Sequence, residues 1–314
     1  MRHFTSVNDV KDLDGFVQKA LALKKSPFAH KHLGENKTLG LLFFNSSLRT
    51  RMSTQKAAAN LGMNTMVMNV TQDSWQIEIE DGVVMDGGKA EHIREAAAVL
   101  GQYCDILGVR SFPALRDRKA DYSEKIIKAF IQHSGVPIIS LESATLHPLQ
   151  SFADLVTISE FKKSPKPKVV LSWAPHINAL PQAVSNSFSQ WMTHADVDFS
   201  IVQPKGFELS DQFTKGAKIY YDQEEAFEGA DFVYVKNWSS YKNYGEVGNY
   251  PKWMIDQSKL ANTNHARVMH CLPVRRNVVI ADEVLDSKSA IVIHQAANRV
   301  FSAQAVLKEM LENL

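Results

Sequence analysis

Three short segments hold the side chains most able to do chemistry. The first, Leu41-Leu-Phe-Phe-Asn-Ser-Ser-Leu-Arg-Thr-Arg51, runs from an apolar stretch into small hydroxyl residues and then into two arginines. Ser46 and Ser47 suit a helix cap, and the first N–H groups of that helix would point at an anion. Arg49 and Arg51 add formal charge at the end where a helix dipole disfavours cations, a conflict that a bound anion would relieve. An ordinary serine cap with solvated arginines is the bland alternative. The second segment is His147-Pro-Leu-Gln150 with Asp154 after it, and the third is His270-Cys-Leu-Pro273. A lone histidine before a proline is usually structural. Three such segments at the carboxyl ends of strands are harder to set aside, because ligands of open α/β sheets bind there.

The elements that would position these residues follow from periodicity. Short β-rich runs alternate with helical patterns, which is the signature of βαβ units and parallel sheets. Strands are expected near residues 38–44, 65–70, 105–109 and 137–140, then 168–173, 198–202, 219–221, 232–235 and 268–270. Helices are expected near 8–24, 50–61, 91–103, 123–133 and 150–162, with an amphipathic last helix near 302–314. The fold class is therefore α/β, with two parallel-sheet domains. The expected divisions are 1–146, 147–300 and a C-terminal helix, 301–314, returning to pack on the first domain.

Composition narrows the partners. The 314 residues include 35 Lys plus Arg against 34 Asp plus Glu, a net charge of +1, so a general nucleic-acid or membrane-surface role has no electrostatic support. An anion must be caught by a local site. The two cysteines, Cys104 and Cys271, exclude a disulfide framework and suit a reducing cytoplasm. No apolar run is long enough to span a membrane. No Gly-x-Gly-x-x-Gly follows a strand, and the histidines lack metal-ligand spacing, so neither a cofactor nor a metal is expected.

With these segments in place, the chain resembles the aspartate/ornithine carbamoyltransferase family. Ser47-Leu48-Arg49-Thr50-Arg51 matches its carbamoyl-phosphate signature, with Leu48 in place of the usual Thr. Gly108-Val-Arg110, His147-Pro-Leu-Gln150, the ornithine-type box His270-Cys-Leu-Pro273 and Asn298-Arg299 match its other motifs. The resemblance implies carbamoyl phosphate as one substrate. Ser47, Leu48, Arg49 and Thr50 would hold the phosphate, and Arg299 would complete the clamp. Arg110, His147 and Thr50 would converge on the carbonyl oxygen, where negative charge grows during attack. Gln150 and the carbonyls of Cys271 and Leu272 would accept from the NH2. In this family the loop bearing Trp75 reaches a neighbouring subunit's active site, which implies a homotrimer with shared sites.

The second substrate departs from ordinary ornithine carbamoyltransferases. Those carry an Asp after a strand of the second domain and then Trp-x-Ser-Met-Gly; here Lys236 takes the Asp position and Ser-Met-Gly is absent. A lysine facing the α-ammonium of ornithine would cost binding energy, whereas an acylated α-nitrogen carries no charge. Lys236 resembles in this the N-acylornithine branch of the family, and Glu142, His176 and Arg275 fall in regions that line its second substrate. A solvated Lys236 is the alternative. Within the branch, a loop position holding Glu goes with acetyl and Pro with succinyl; Ala90 is assigned to that position. A carboxylate there would repel succinate and Ala would not, and Lys89, His92, Arg275 and Arg276 favour an extra negative charge, so N-succinyl-L-ornithine is expected ahead of N-acetyl-L-ornithine. An ordinary ornithine carbamoyltransferase and a non-catalytic anion-binding relative are the competing readings.

Overall fold

The computed structural model describes all residues, Met1–Leu314. The chain forms two compact units: Met1–Ala114 with Lys119–Leu149 and Arg299–Leu314, and Leu115–Arg118 with Gln150–Asn298. Each is built on a parallel sheet, as the alternating pattern implies.

In the first unit the strands are β1 (Thr38–Phe43), β2 (Asn64–Asn69), β3 (Ile77–Glu78), β4 (Glu91–His92), β5 (Ile106–Arg110) and β6 (Ile138–Glu142). The main sheet has the order β2-β1-β5-β6, and β3 and β4 form a separate two-stranded arm. β5 and β6 are buried along their whole length, which is why they are mostly apolar rather than alternating, with Arg110 and Glu142 at their ends. Leu42, Leu107, Val109, Ile127, Phe130 and Ile138 fill one face of this sheet. The chain leaves β1 for β2 on one side and returns to β5 on the other, so the order reverses between β1 and β5. That reversal opens a crevice at the carboxyl ends of these two strands.

The second unit holds β7 (Lys168–Trp173), β8 (Asp198–Val202), β9 (Lys218–Tyr220), β10 (Phe232–Lys236) and β11 (Arg267–Met269). Their order is β11-β10-β7-β8-β9, so here the reversal lies between β7 and β10. Val170, Val202, Val233, Val235, Val268 and Ile280 pack in one hydrophobic cluster of this unit.

Four helices differ from expectation. The one expected at 8–24 begins only at Leu13, where Asp12 Oδ1 accepts from Gly15 N. Helix Ala183–His194 is not among those expected, and Ser185, Asn186, Ser187 and Ser189 are buried in it along with Phe188 and Trp191. The helix expected at 123–133 begins at Lys125, after Glu124 in a left-handed conformation (φ 55°). The C-terminal helix runs Val292–Leu311, ten residues longer at its start, since Gln295, Asn298 and Arg299 are polar yet buried. From Arg299 onward it packs with the first unit. Asn60 Nδ2 donates to Gln304 Oε1 at 2.9 Å, Gln304 Nε2 to the carbonyl of Pro27 at 2.6 Å, and Lys19 pairs with Glu309 at 2.7 Å.

Candidate active site

In the first unit, the helix Arg49–Asn60 starts just beyond β1. Its N-cap residue is Leu48, and no side chain caps it. The expectation of a serine cap is therefore corrected. The Ser46 carbonyl, with that of Asn45 at 3.1 Å, instead accepts from Arg110 Nη1. The N-cap side chain takes up none of the first N–H groups of the helix, and a negatively charged ligand suits such an end. Thr50 is buried and its Oγ1 accepts from Arg299 Nη2 at 2.6 Å. A hydroxyl that accepts from a guanidinium still has its own proton to donate.

Arg110 ends β5, where a register shift between Val109 and Arg110 sets it opposite Glu142 at the end of β6. Bulges of this kind re-aim side chains beside functional sites. The Arg110 guanidinium lies over the Phe112 ring, 4.1 Å from its centroid, and Nη2 meets Glu142 Oε2 at 3.2 Å. His147 Nε2 lies 3.6 Å from the same carboxyl oxygen. Burial, followed by the charges of Arg299, Arg110 and Arg49, holds the His147 imidazole well below its ordinary pKa, so it is neutral at pH 7. Arg110 Nε and His147 Nδ1 are both buried without a protein partner. Buried polar atoms in native interiors are nearly always paired, and these two nitrogens are exceptions.

Sequence reasoning missed a residue that shapes this corner. Glu124 Oε1 accepts from Ser143 Oγ at 2.7 Å, from Thr145 N at 2.8 Å and from the Thr145 hydroxyl, clamping the loop between Glu142 and His147. Nothing local to Glu124 in the sequence signals this, because its partners lie some twenty residues away.

Glu142, expected with the second substrate, sits beside Arg110 and His147. Trp75 and Ala90 belong to the β3–β4 arm: Trp75 is exposed with its Nε1 on Glu91 Oε2 at 2.8 Å, and Ala90 N donates to the Gln76 carbonyl at 3.1 Å. Two cations invoked for an extra negative charge are already neutralised, which corrects that expectation. Lys89 pairs with Glu78 at 2.8 Å, and Arg276 with Asp282 and Asp286 at 2.8 and 2.7 Å.

In the second unit the reversal between β7 and β10 brings His176, just past β7, into the same neighbourhood as Lys236 at the end of β10. Lys236 is buried rather than solvated, and its Nζ donates to the Asn237 carbonyl at 2.7 Å. Arg275 Nε donates to His176 Nε2 at 3.2 Å. Burial and the nearby Lys236 and Arg275 lower the His176 pKa, although its bond to Asn178 opposes this. A cavity of about 480 Å³ opens beside His176 between Ile177, Val247, Asn249, Met254 and Asn277. Beyond β11, Leu272 adopts φ 58°, a conformation rare for its side chain, with its N–H on His270 Nδ1 at 2.9 Å. Gln150 is buried, with its Nε2 on Asp154 Oδ1 at 2.7 Å.

A family model for the aspartate/ornithine carbamoyltransferase carbamoyl-P binding domain matches residues 2–160, and one for the Asp/Orn binding domain matches residues 181–310. The chain belongs to the aspartate/ornithine carbamoyltransferase family. Within this family it is 54% identical over 317 residues to N-succinylornithine carbamoyltransferase of Bacteroides thetaiotaomicron, with 100% of both chains covered. It is 33% identical over 335 residues to N-acetylornithine carbamoyltransferase of Xanthomonas campestris pv. campestris, covering 99% and 98%. Its fold is also that of a crystal structure of N-acetyl-L-ornithine transcarbamylase with one glutamate replaced by alanine, complexed with carbamyl phosphate and N-succinyl-L-norvaline. There the TM-score is 0.92 at 32% identity, with 99% of this chain and 100% of that one covered.

Proposed function

We propose that this carbamoyltransferase-family chain transfers the carbamoyl group of carbamoyl phosphate to the δ-amine of an N-acylornithine, with N-succinyl-L-ornithine preferred to N-acetyl-L-ornithine. The observation that carries the reading is the buried ammonium of Lys236 beside His176 and Arg275. A cationic site of this kind repels the free α-ammonium of ornithine and suits an acylated head carrying only carboxylates. The identity of 54% to a succinylornithine enzyme, against 33% to an acetylornithine enzyme, supports the order of the two acyl groups.

Ser47, the N–H groups of residues 48 to 50 and the side chains of Arg49 and Thr50 would hold the phosphate, with Arg299 acting on Thr50 as well as on the anion. Arg110, neutral His147 and Thr50 would stabilise the carbonyl oxygen as charge develops on it. The amine nitrogen bonds to the carbamoyl carbon, the carbon–oxygen bond to phosphate breaks, and the departing phosphate takes the amine proton. Gln150 and the carbonyls of Cys271 and Leu272 would accept from the carbamoyl NH2. Glu142 would hold Arg110 in place and orient the incoming amine.

The first unit leaves the large apolar side chains of Leu48, Met52, Trp75, Val84 and Met85 exposed, which supports a homotrimer in which Trp75 serves a neighbouring subunit's site. Light scattering behind size-exclusion chromatography tests it. Two free thiols suit a reducing cytoplasm, and no helix is long and apolar enough to cross a membrane. The deciding assay is colorimetric detection of ureido product with carbamoyl phosphate and a panel of ornithine, N-acetylornithine and N-succinylornithine. Turnover of free ornithine in preference to both acylated amines refutes the proposal, and turnover of none points to a non-catalytic anion-binding relative.

A further inference from the structure

The helix Pro148–Phe161 carries a carboxyl group that the proposed chemistry does not use. Asp154 is fully buried, and its Oδ1 accepts two amide donors, Gln150 Nε2 and Gln295 Nε2, each at 2.7 Å. Gln150 and Asp154 are one turn apart on the same helix face, whereas Gln295 comes from the C-terminal helix. The other end of Gln295 is also committed, since its Oε1 accepts from His270 N at 2.9 Å. His270 Nδ1 in turn accepts from Leu272 N at 2.9 Å, which holds Leu272 in its left-handed conformation. One carboxyl group is thus joined to both segments that would meet the carbamoyl NH2, the one at Gln150 and the one at His270–Pro273.

A glutamine amide has two chemically opposite ends that are nearly identical in shape. Gln150 could present either to a ligand unless something fixes it. A carboxylate can only accept, so it selects the nitrogen of Gln150 and turns the oxygen away from itself. The same selection at Gln295 directs that oxygen to the His270 N–H. Replacing the carboxyl group by a hydrocarbon would leave both amides free to flip, and a flipped Gln150 would oppose donor to donor against an NH2 group.

We propose that Asp154 is a positioning residue, which fixes Gln150 with its oxygen turned to accept from the carbamoyl NH2 and, through Gln295, fixes the backbone of His270 to Leu272. This rests on the carbamoyltransferase function proposed above. A double-mutant cycle in the full chain tests it, with kcat and both KM values measured for Asp154→Leu, Asp154→Asn, Gln150→Leu and Asp154→Leu/Gln150→Leu. Asp154→Leu is expected to lower kcat about 100-fold. Asp154→Asn, which keeps an oxygen acceptor, should lie within about 10-fold of the parent. In the Gln150→Leu background, Asp154→Leu should cost no more than about 10-fold further, because only the share carried by Gln295 remains. Fully multiplicative effects overturn the proposal, as does an Asp154→Leu enzyme with parental kcat. If Asp154→Leu does not fold, Gln295→Leu and Asp154→Asn are compared instead, and parental kcat in Gln295→Leu overturns the link to His270. A parent chain that carbamoylates no amine overturns the function itself, whereas an active parent with a multiplicative cycle overturns only the role of Asp154.

Discussion

Replacing Ala90 by glutamate should move the substrate preference from the succinylated to the acetylated amine. Ala90 sits on the β3–β4 arm with its side chain exposed, and the cations nearest in sequence cannot neutralise a new carboxylate there. Lys89 is already bonded to Glu78 at 2.8 Å, and His92 Nε2 contacts the Glu80 carbonyl at 3.2 Å. If residue 90 approaches the acyl group, the new charge meets the terminal carboxylate of succinate, and acetate has none to meet. Two like charges about 4 Å apart repel by about 1 kcal/mol in water and about 4 kcal/mol at an effective dielectric near 20. Because residue 90 is exposed in the single chain, the shift should begin near tenfold, or about 1.4 kcal/mol, and grow if a neighbouring subunit covers the arm. The assay is kcat/KM for N-acetyl- and N-succinylornithine with the parent and Ala90→Glu. The ratio should rise toward acetyl, with acetyl turnover itself little reduced. An unchanged ratio would remove residue 90 from the acyl pocket and break the charge argument for it.

Arg49→Ala should abolish detectable turnover with the melting temperature nearly unchanged, since a lost charge-assisted contact to phosphate is worth about 3 kcal/mol or more; near-normal activity would place the segment outside the site. His147→Ala should lower kcat far more than it raises the KM for carbamoyl phosphate, because the carbonyl oxygen becomes more negative only as attack proceeds; equal losses in steady-state kinetics would indicate simple binding. The depressed His147 pKa also has a stability consequence. Above the ordinary histidine value both folded and unfolded states are neutral there, and below it the unfolded chain takes up a proton that the folded one refuses, so stability falls with pH toward the folded value. Melting temperatures at about pH 7.5 and 5.5 should therefore drop less for His147→Gln than for the parent. Glu142→Gln should lower stability by about 2 kcal/mol in urea unfolding, because it leaves the buried Arg110 cation without its counter-charge at 3.2 Å; an unchanged midpoint would show that Arg110 needs no partner.

Much of the fold was legible because parallel strands buried on both faces announce themselves as apolar runs, and β7 and β8 occupy the expected residues, 168–173 and 198–202. What stayed hidden was polar burial. The serines of helix Ala183–His194 and Gln295, Asn298 and Arg299 of the C-terminal helix are hydrophilic side chains in the interior, and such residue types read as surface in a sequence. At the candidate site, strand-end segments gave residue types but not partners. Thr50 and Arg299 are 249 positions apart and meet at 2.6 Å. Charge inferences suffered most: Lys89 and Arg276 are positive in sequence but paired in space, whereas Lys236 is buried at a strand end.

The first unit is discontinuous, and it takes its final helix segment, Arg299–Leu314, only after the whole of Gln150–Asn298. On a ribosome adding roughly 5–20 residues per second, the nascent first unit therefore waits roughly 10–30 s for that segment. Throughout that interval Val306, Leu307 and Met310, all fully buried in the finished fold, have not been made, and the surface they cover stays open to solvent. Arg299 arrives with the same segment. A chain released early by a stalled ribosome would thus lack both the plug for its core and the guanidinium on Thr50.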